Sequence, residues 1–308
     1  MNGAATPSNS QSNLLAWLQL MRISAIPTAA SNILAGFLLA HHSWLPVSNL
    51  LLLITSSVCL YVSGMIFNDY CDREVDAQSR ENRPIPSGSI SPSSAFAAYV
   101  CLSLVGIAVA AAISLNSALI AVLLGVAIYS YNRVLKKTPA APLMMGTCRF
   151  LNILLGASSY STEMWFSFPG IVFWVAAAIG IFICGLTWFA RNESTTSNSI
   201  RLTGSAVVIM AGIAGLALTG FIFESPHPER VASLIALVSI PAVYRVYVAV
   251  IHPEARFVQQ AVRALIQSLI LFDAAVCILA RPDQPLFAIT TMALLLPAML
   301  LSKFISST

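Results

Sequence analysis

Long apolar stretches alternate with short polar ones along the whole chain. Ten of the apolar stretches approach the roughly 20 residues that a helix needs to cross a bilayer. They cover residues 15–40, 46–68, 93–114, 116–134, 141–160, 168–189, 204–223, 231–251, 257–280 and 284–303. Mainly Asn116 and Ser117 divide the third stretch from the fourth, so nine spans are the alternative count. The pattern predicts an all-α, polytopic membrane protein with nine to ten transmembrane helices.

The composition supports this prediction. Apolar residues make up 57% of the chain and charged residues only 9%, whereas a soluble domain carries roughly 25% charged residues. We expect residues 1–12 to form a short disordered tail and residues 13–308 to form a single transmembrane domain. The six cysteines include no CxxC pair, so neither a zinc site nor a disulfide framework is indicated. The net charge of +4 gives no argument for a nucleic-acid partner.

The basic residues are distributed unevenly between the two sides of the membrane. With ten spans, only Arg230 and Arg281 lie in one set of alternate loops. The other set, with the end of the last span, carries Arg73, Arg80, Arg83, Arg133, Lys136, Lys137, Arg191, Arg201, Arg256 and Lys303. Loops rich in Lys and Arg stay in the cytoplasm. The sequence therefore predicts an integral protein of the inner or plasma membrane, with both termini and the second set of loops in the cytoplasm.

The segment Asn68–Asp76 concentrates negative charge at a predicted membrane edge. Five of the chain's twelve acidic residues lie between Asp69 and Glu81. Asp69, Asp72 and Asp76 follow the spacing i, i+3, i+7, so on a helix they fall within an arc of about 60°. Carboxylates in this position mark a functional site by default. Three of them on one face repel one another unless a cation lies among them.

The chemistry of this segment suits a metal-bound diphosphate. Oxygen ligands without a nearby His or Cys favour a hard cation, Mg²⁺ before Ca²⁺, and Asn68 adds an amide oxygen. Basic groups on the same side would bind the remaining phosphate oxygens. These basic residues are Arg73, Arg80, Lys136 and Lys137. The alternative interpretation is a solvated, salt-bridged loop at the membrane interface.

Several polar residues lie inside predicted spans. Arg149 and Asn152 are spaced i, i+3, and a buried arginine needs a partner or a ligand. The pair either lines a diphosphate cavity or forms a structural hydrogen-bonded pair. Arg22 and Asn32 have the same two interpretations, and Arg22 could also snorkel to the interface. Asp273 is a proton-bearing acid, a partner for Arg263 or Arg245, or a neutral core carboxyl.

A second polar segment, residues 190–203, is a weak repeat of the first. A shift of 121 residues aligns Asp72 with Glu193 and Arg80 with Arg201. Four predicted spans separate the two segments, so they lie on the same side of the membrane. We interpret them as two weak pseudo-repeats, with motif loops 68–90 and 190–203, that face each other across a polar chamber.

The residues in and around the acidic segment resemble a known family. Asn68–Asp76, followed by Arg80 and Arg83-Pro84, is similar to the first signature of the UbiA superfamily of intramembrane prenyltransferases. Further similarity to its first helix and to its basic loop between helices four and five lies in Met21, Arg22, Pro27, Asn32, Gly36 and Tyr131–Lys137. The resemblance covers most of the chain, and the first motif is its specific part.

This resemblance implies a ring of helices around a central polar cavity that opens sideways to lipid. It implies Mg²⁺-dependent transfer of an isoprenyl group from a prenyl diphosphate to a small lipophilic acceptor, commonly aromatic. Asp69, Asp72 and Asp76 would be the catalytic acids and metal ligands, together with Asn68 and Glu193. The residues expected to bind the diphosphate or line the cavity are Asn68, Arg73, Arg80, Lys136, Lys137, Arg149, Asn152, Arg22 and Asn32.

The second motif departs from the family pattern. The family carries a second aspartate-rich motif after its sixth helix, whereas residues 190–198 contain the single carboxylate Glu193. This departure indicates a divergent branch, similar to the EboC-like members. It also supports a rival interpretation, in which a non-catalytic protein of the same fold binds or transports an isoprenoid lipid.

Overall fold

The computed structural model describes residues 9–160, 168–191 and 199–304, and within these ranges the regular structure is entirely helical. A 3₁₀ turn, Ile23–Ala25, precedes α2, and a π-helical turn, Tyr131–Leu135, follows α5. The α-helices are α1 (Asn9–Leu20), α2 (Ile26–His41), α3 (Val47–Ser79), α4 (Pro92–Ala111), α5 (Leu115–Ser130), α6 (Ala141–Ala157), α7 (Gly170–Ala190), α8 (Ser199–Ile222), α9 (Pro228–Ile251), α10 (Ala255–Ala280), α11 (Leu286–Ala293) and α12 (Leu295–Phe304).

The helices match the predicted spans closely. Eight helical segments of the described chain, built on α2–α5 and α7–α10, are long and apolar enough to cross a membrane. The α6 helix and the α11–α12 pair are shorter apolar helices that correspond to the other two predicted spans. The division between the third and fourth spans is made by Ser114, which caps α5 by accepting a hydrogen bond from the Ser117 N–H at 3.0 Å.

The first predicted span, residues 15–40, is divided in the structure. The α1 helix begins at Asn9, inside the predicted tail, and ends at Leu20. Arg22 then adopts a left-handed conformation with φ 47° and ψ 51°, and Pro27 lies in the first turn of α2. Proline is accommodated there because the first turn of a helix needs no N–H donor. The break lets the Arg22 side chain reach the end of α3.

The α3 helix is longer than the membrane requires. Its 33 residues rise roughly 50 Å, whereas the hydrocarbon core is about 30 Å thick. The segment Asn68–Asp76 therefore occupies the last turns of a continuous helix. The predicted motif loop 68–90 is helical as far as Ser79, and only its second half is a loop.

The helices form a closed ring. Each of α2 to α9 packs against the next helix in the chain, and α10 packs against both α9 and α2. The α2 helix also crosses to α6, where Gly36 and Gly156 allow the backbones to touch. A Cβ atom added to Gly36 would lie 2.2 Å from the Ile153 carbonyl oxygen, and one added to Gly156 would lie 2.6 Å from that of Ile33. Small residues permit such close helix contacts in membranes.

Candidate active site

The acidic face predicted on α3 is present in the structure. Asp69 and Asp76 are buried, with exposures of 7% and 5%. Asp72 is half-buried between them, and Glu74 on the other side of the helix is exposed. The predicted spacing therefore turns the three aspartates toward the bundle. Buried carboxylates require partners of opposite charge.

Two arginines from different elements hold the buried aspartates. Arg22 donates from Nη2 to Asp69 Oδ1 at 3.0 Å. Arg83, in the loop after α3, donates from Nη1 to Asp76 Oδ2 at 2.7 Å and to Asp69 Oδ1 at 3.4 Å. The sequence assigned Arg83 only to a loop. The signal that could have identified it is Pro84, because a proline that stops the helix lets the chain fold back onto the helix end.

The third partner is Lys136, which forms an ion pair with Asp72. The π-helical turn Tyr131–Leu135 leads to it and ends with a hydrogen bond from the Lys136 N–H to the Tyr131 carbonyl at 2.8 Å. Single π-helical turns often occur at functional sites. The same turn carries Asn132, whose Oδ1 accepts a hydrogen bond from Asn68 Nδ2 at 2.9 Å. Lys136 and Asn68 thus both belong to the acidic face or its immediate surroundings.

Three other basic residues singled out by the sequence lie away from the aspartates. Arg73 donates to the Tyr70 carbonyl at 2.8 Å and pairs with exposed Glu74 at 3.0 Å. Arg80 is exposed at the end of α3, and Lys137 is exposed in the loop before α6. Among the ion pairs of the described residues, none joins these three to the acidic face. Their binding of diphosphate stays a prediction.

A cavity of about 460 Å³ lies beside the acidic face, between α2, α3, α5, α6, α7 and α10. Most of its wall is apolar and includes Met65, Leu124, Ile128, Met145, Ile183, Leu186, Val262, Ile266 and Leu269. Its polar lining includes Arg22, Ser57, Tyr61, Tyr131, Asn132, Arg149 and Asn152. Arg22 contacts Asp69, and Asn132 contacts Asn68. Through these two residues the acidic face adjoins one end of a largely apolar chamber, although Asp69, Asp72 and Asp76 are not themselves lining residues.

Arg149 and Asn152 line this cavity and also bind α2. Arg149 donates from Nη1 to the Thr28 carbonyl at 3.2 Å and to Asn32 Oδ1 at 3.1 Å, and from Nη2 to Thr28 Oγ1 at 3.0 Å. Asn152 donates to the α2 backbone at 3.0 Å and accepts a hydrogen bond from Ser57 at 2.6 Å. Both residues therefore line a cavity and also form structural hydrogen bonds, and the binding of diphosphate in that cavity stays a prediction.

Asp273 on α10 meets the same part of α2. The Ser31 hydroxyl donates to Asp273 Oδ2 at 2.5 Å, and Asn32 Nδ2 donates to the same oxygen at 2.7 Å. The partners of this carboxyl are therefore neutral side chains, not Arg263 or Arg245, which the sequence offered. Asn32 lies between Arg149 and Asp273, accepting from one and donating to the other. Within the described chain, Asp273 Oδ1 is buried without a hydrogen-bond partner.

The second polar segment begins at the same end of the cavity. Ala190, the last residue of α7, lines the cavity. Arg191 donates to two carbonyls of the loop before α6, at 3.3 and 3.0 Å. Residues 192–198, including Glu193, lie outside the described residues. The predicted carboxylate opposite the aspartates of α3 stays a prediction.

Comparison with known protein families identifies the family of this chain. The model of the UbiA prenyltransferase family matches residues 29–256. This chain belongs to the UbiA prenyltransferase family. The resemblance carried by Asn68–Asp76 is thereby confirmed, and the matched region contains every aspartate of the acidic face.

Individual relatives agree with this assignment to the UbiA family. A digeranylgeranylglyceryl phosphate synthase of Saccharolobus solfataricus is 30% identical over 154 residues, which are 50% of this chain and 55% of that protein. The chain spans about half the length of the curated relatives it matches. A solved UbiA homolog from Aeropyrum pernix K1 has a TM-score of 0.66 at 16% identity, over 83% of this chain and 98% of that one. A UbiA homolog from Archaeoglobus fulgidus bound to DMAPP and Mg²⁺ has a TM-score of 0.59 at 15% identity, over 81% and 98%. The predicted all-α, UbiA-like fold is confirmed.

The acidic face has the chemistry to hold a hard divalent cation. Arg83 Nη1 lies 3.4 Å from Asp69 Oδ1 and 2.7 Å from Asp76 Oδ2, so one positively charged group already lies between two carboxylates. Asp72 and Asn68 add oxygens on neighbouring turns, which gives an oxygen-only donor set of the kind Mg²⁺ prefers. In the arrangement of the described residues, no three acidic, His or Cys side chains converge as a metal site. The basic partners occupy the carboxylates instead.

Proposed function

We propose that this chain transfers an isoprenyl group from a prenyl diphosphate to a lipophilic acceptor within the membrane, in a Mg²⁺-dependent reaction. One observation carries the proposal: the acidic face of α3 and its basic partners stand at one end of a largely apolar cavity. Carboxylates hold a metal–diphosphate, basic groups neutralise its oxygens, and apolar walls hold the isoprenyl chain.

In this reaction the aspartates of α3 exchange their partners. They would hold the metal–diphosphate, which frees Arg22, Arg83 and Lys136 to bind the phosphate oxygens. Bound Mg²⁺ supplies Lewis-acid stabilisation of the charge that develops on the departing diphosphate. The freed basic side chains add to that stabilisation, because they are already positioned where the charge appears. The ion pairs of the structure thus hold the aspartates and the basic side chains in place before the substrate binds.

The apolar cavity supports the bond-breaking step. The bond between C1 of the isoprenyl group and the diphosphate oxygen breaks, and its electron pair leaves with the diphosphate. The rings of Tyr61 and Tyr131 line the cavity and can stabilise the resulting allylic cation through their π faces. The acceptor's nucleophilic atom then bonds to C1, and its proton passes to the departing diphosphate. Dry walls protect the cation from water.

Two classes of acceptor are consistent with the family. The name of the relatives describes a product with geranylgeranyl groups on glyceryl phosphate, which favours a hydroxyl of a glyceryl phosphate lipid. The family resemblance of the sequence favours an aromatic acceptor. The two tyrosines in the cavity wall are compatible with either, so both classes belong in the acceptor scan.

We propose that the site and both chain termini face the cytoplasm. The support is the concentration of basic residues on the side of the acidic face, including Arg83 and Lys136, which bind it directly. A reporter fused after Lys303 should give a cytoplasmic signal. A periplasmic or lumenal signal would contradict this orientation.

The enzymatic reaction is tested in membranes that contain the expressed chain. Radiolabelled prenyl diphosphate is supplied with glyceryl phosphate and aromatic acceptors, with Mg²⁺ or with EDTA. We expect a Mg²⁺-dependent product that Asp72→Asn reduces by about a hundredfold. Glu74→Gln is the matched control, because Glu74 lies on the exposed side of the same helix, and it should leave the rate within about threefold.

Two results would argue against the enzyme. Full Mg²⁺-dependent activity in Asp72→Asn would show that the acidic face is not the active site. Diphosphate binding without turnover for any acceptor would instead favour the non-catalytic, lipid-binding protein.

A further inference from the structure

We propose that Arg149 is a second anion-binding point in the cavity, separate from the acidic face, and that Asn32 and Asp273 hold it in position. Its ligand is the anionic headgroup of the acceptor, either a phosphate or a carboxylate. The identification of this ligand as the acceptor rests on the proposed function. The existence of the anion-binding point rests on the structure alone.

Arg149 lies too far along the bundle to share one diphosphate with the aspartates. Asn152, three residues after Arg149 on α6, is hydrogen-bonded to Ser57 on α3. The α3 backbone rises roughly 18 Å between Ser57 and Asp69. Because α6 runs antiparallel to α3, Arg149 is closer to the acidic face by one turn, which leaves roughly 13 Å. The guanidinium does not extend toward the aspartates, because it binds Thr28 and Asn32, on either side of the Ala29 carbonyl that accepts from Asn152. The separation therefore exceeds the length of a diphosphate.

The Arg149 guanidinium keeps donors that an incoming anion can use. Its hydrogen bonds to the described residues use Nη1 twice and Nη2 once, all toward neutral oxygens of Thr28 and Asn32. A guanidinium has five N–H donors, so two remain without a partner in the described part of the chain. No carboxylate of the described residues forms an ion pair with Arg149. Since the side chain lines the cavity, a bound oxyanion would receive charge-assisted hydrogen bonds there.

Asp273 holds Asn32, and through it Arg149, without contacting the guanidinium. Asn32 accepts from the guanidinium at 3.1 Å and donates to Asp273 Oδ2 at 2.7 Å, so the amide is held at both ends. A fully buried carboxyl with an unpaired oxygen is unfavourable in an apolar interior, and the guanidinium beyond Asn32 reduces that unfavourable free energy. Because Asp273 reaches Arg149 only through a neutral amide, the cavity-facing donors of Arg149 stay available.

The separation of the two charged sites selects the class of acceptor. The nucleophile must meet C1 of the isoprenyl group close to the diphosphate, while the anionic group must reach Arg149 deeper in the cavity. An acceptor with an anion a few bonds from its nucleophile satisfies both conditions. Glyceryl phosphates and aromatic carboxylates have this form, whereas a neutral alkylglycerol or a simple phenol does not.

The test is a binding measurement on the purified full chain in detergent. Two pairs of probes are compared: an alkylglycerol phosphate with the alkylglycerol, and an alkylbenzoate with the alkylphenol. We expect the anionic member to bind at least about tenfold more tightly, which corresponds to one charge-assisted hydrogen bond. Arg149→Gln should lower its affinity to that of the neutral member. Mg²⁺-dependent affinity for inorganic diphosphate should change by less than about threefold in Arg149→Gln and be lost in Asp72→Asn.

Three outcomes would overturn the proposal. The first is equal affinity for the anionic and neutral probes in the wild-type chain. The second is competition between the anionic probe and inorganic diphosphate, together with loss of probe binding in Asp72→Asn. The third is an Arg149→Gln variant that weakens diphosphate binding as much as it weakens binding of the anionic probe.

The positioning role of Asp273 has its own readout. Asp273→Asn keeps an oxygen for Ser31 and Asn32, so it should retain the preference for the anionic probe within about threefold. Asp273→Leu removes that oxygen and should lose the preference. If Asp273→Leu does not fold, the wild-type preference and its loss in Arg149→Gln still decide the proposal.

Measurements of turnover distinguish a failure of the Arg149 site from a failure of the proposed enzymatic function. Arg149-dependent binding of the anionic probes without prenylation of any acceptor would refute the enzyme and leave the anion-binding point intact. Prenylation of neutral and anionic acceptors with equal KM values would support the enzyme and refute the role of Arg149.

Discussion

Replacing Arg83 with glutamine tests how the acidic face is held together. The Arg83 side chain is only 10% exposed and lies between Asp69 and Asp76, whose side chains are 9% and 7% exposed. Arg83→Gln keeps the size and some hydrogen-bonding capacity but removes the charge. Asp76 then loses the cation 2.7 Å from its carboxylate, while Asp69 keeps Arg22 at 3.0 Å.

The expected loss of stability follows from these contacts. Removing one partner of a buried ion pair destabilises a protein by about 3–5 kcal/mol. Because Arg22 still neutralises Asp69, we expect about 2–4 kcal/mol for Arg83→Gln, or roughly 5–10 °C in apparent melting temperature. A divalent cation can take the vacated position between the carboxylates. Added Mg²⁺ should therefore raise the melting temperature of Arg83→Gln more than that of the wild type.

The measurement is thermal unfolding of the purified variants in detergent, with EDTA and with Mg²⁺. Arg80→Gln is the matched control, because Arg80 is an exposed arginine at the end of the same helix and should change stability by less than about 0.5 kcal/mol. A stability of Arg83→Gln equal to the wild type in EDTA would refute this reasoning. An equal loss of stability in Arg80→Gln would also refute it, because the loss would then come from the change in net charge and not from the buried ion pairs.

Two further predictions concern packing and the basic loop. Gly36→Ala should lower stability by about 1–3 kcal/mol, because its Cβ would lie 2.2 Å from the Ile153 carbonyl oxygen. In the same unfolding assay Gly125→Ala should be neutral or stabilising, since its nearest atom would be 3.9 Å away; equal losses would argue against close packing as the cause. Lys136→Met should lower kcat/KM for the prenyl diphosphate by about tenfold or more, and Lys137→Met by less than about threefold. Steady-state kinetics measures both, and equal effects would contradict the specific pairing of Lys136 with the acidic face.

The sequence determined the features of this protein that depend on neighbouring residues. Apolar runs of bilayer length predicted the helices, because spanning a membrane is a requirement on one continuous segment. The i, i+3, i+7 spacing of Asp69, Asp72 and Asp76 predicted one acidic face, because helical periodicity is a local property. The structure confirmed the face and extended its helix to Ser79.

Partnerships across the fold were decided only by the tertiary structure. The sequence placed Arg73 and Arg80 beside the aspartates as phosphate ligands and Arg83 in a loop, yet Arg83 holds the aspartates, because the loop after α3 folds back onto the helix end. The contacts from Arg149 through Asn32 to Asp273 join residues that are 117 and 241 positions apart in the chain. The packing of α6 on α2 creates the first of these contacts, and the packing of α10 on α2, which closes the ring, creates the second. A side chain's charge and its place on a helix are fixed by its own segment, but which charge it meets depends on how distant helices pack.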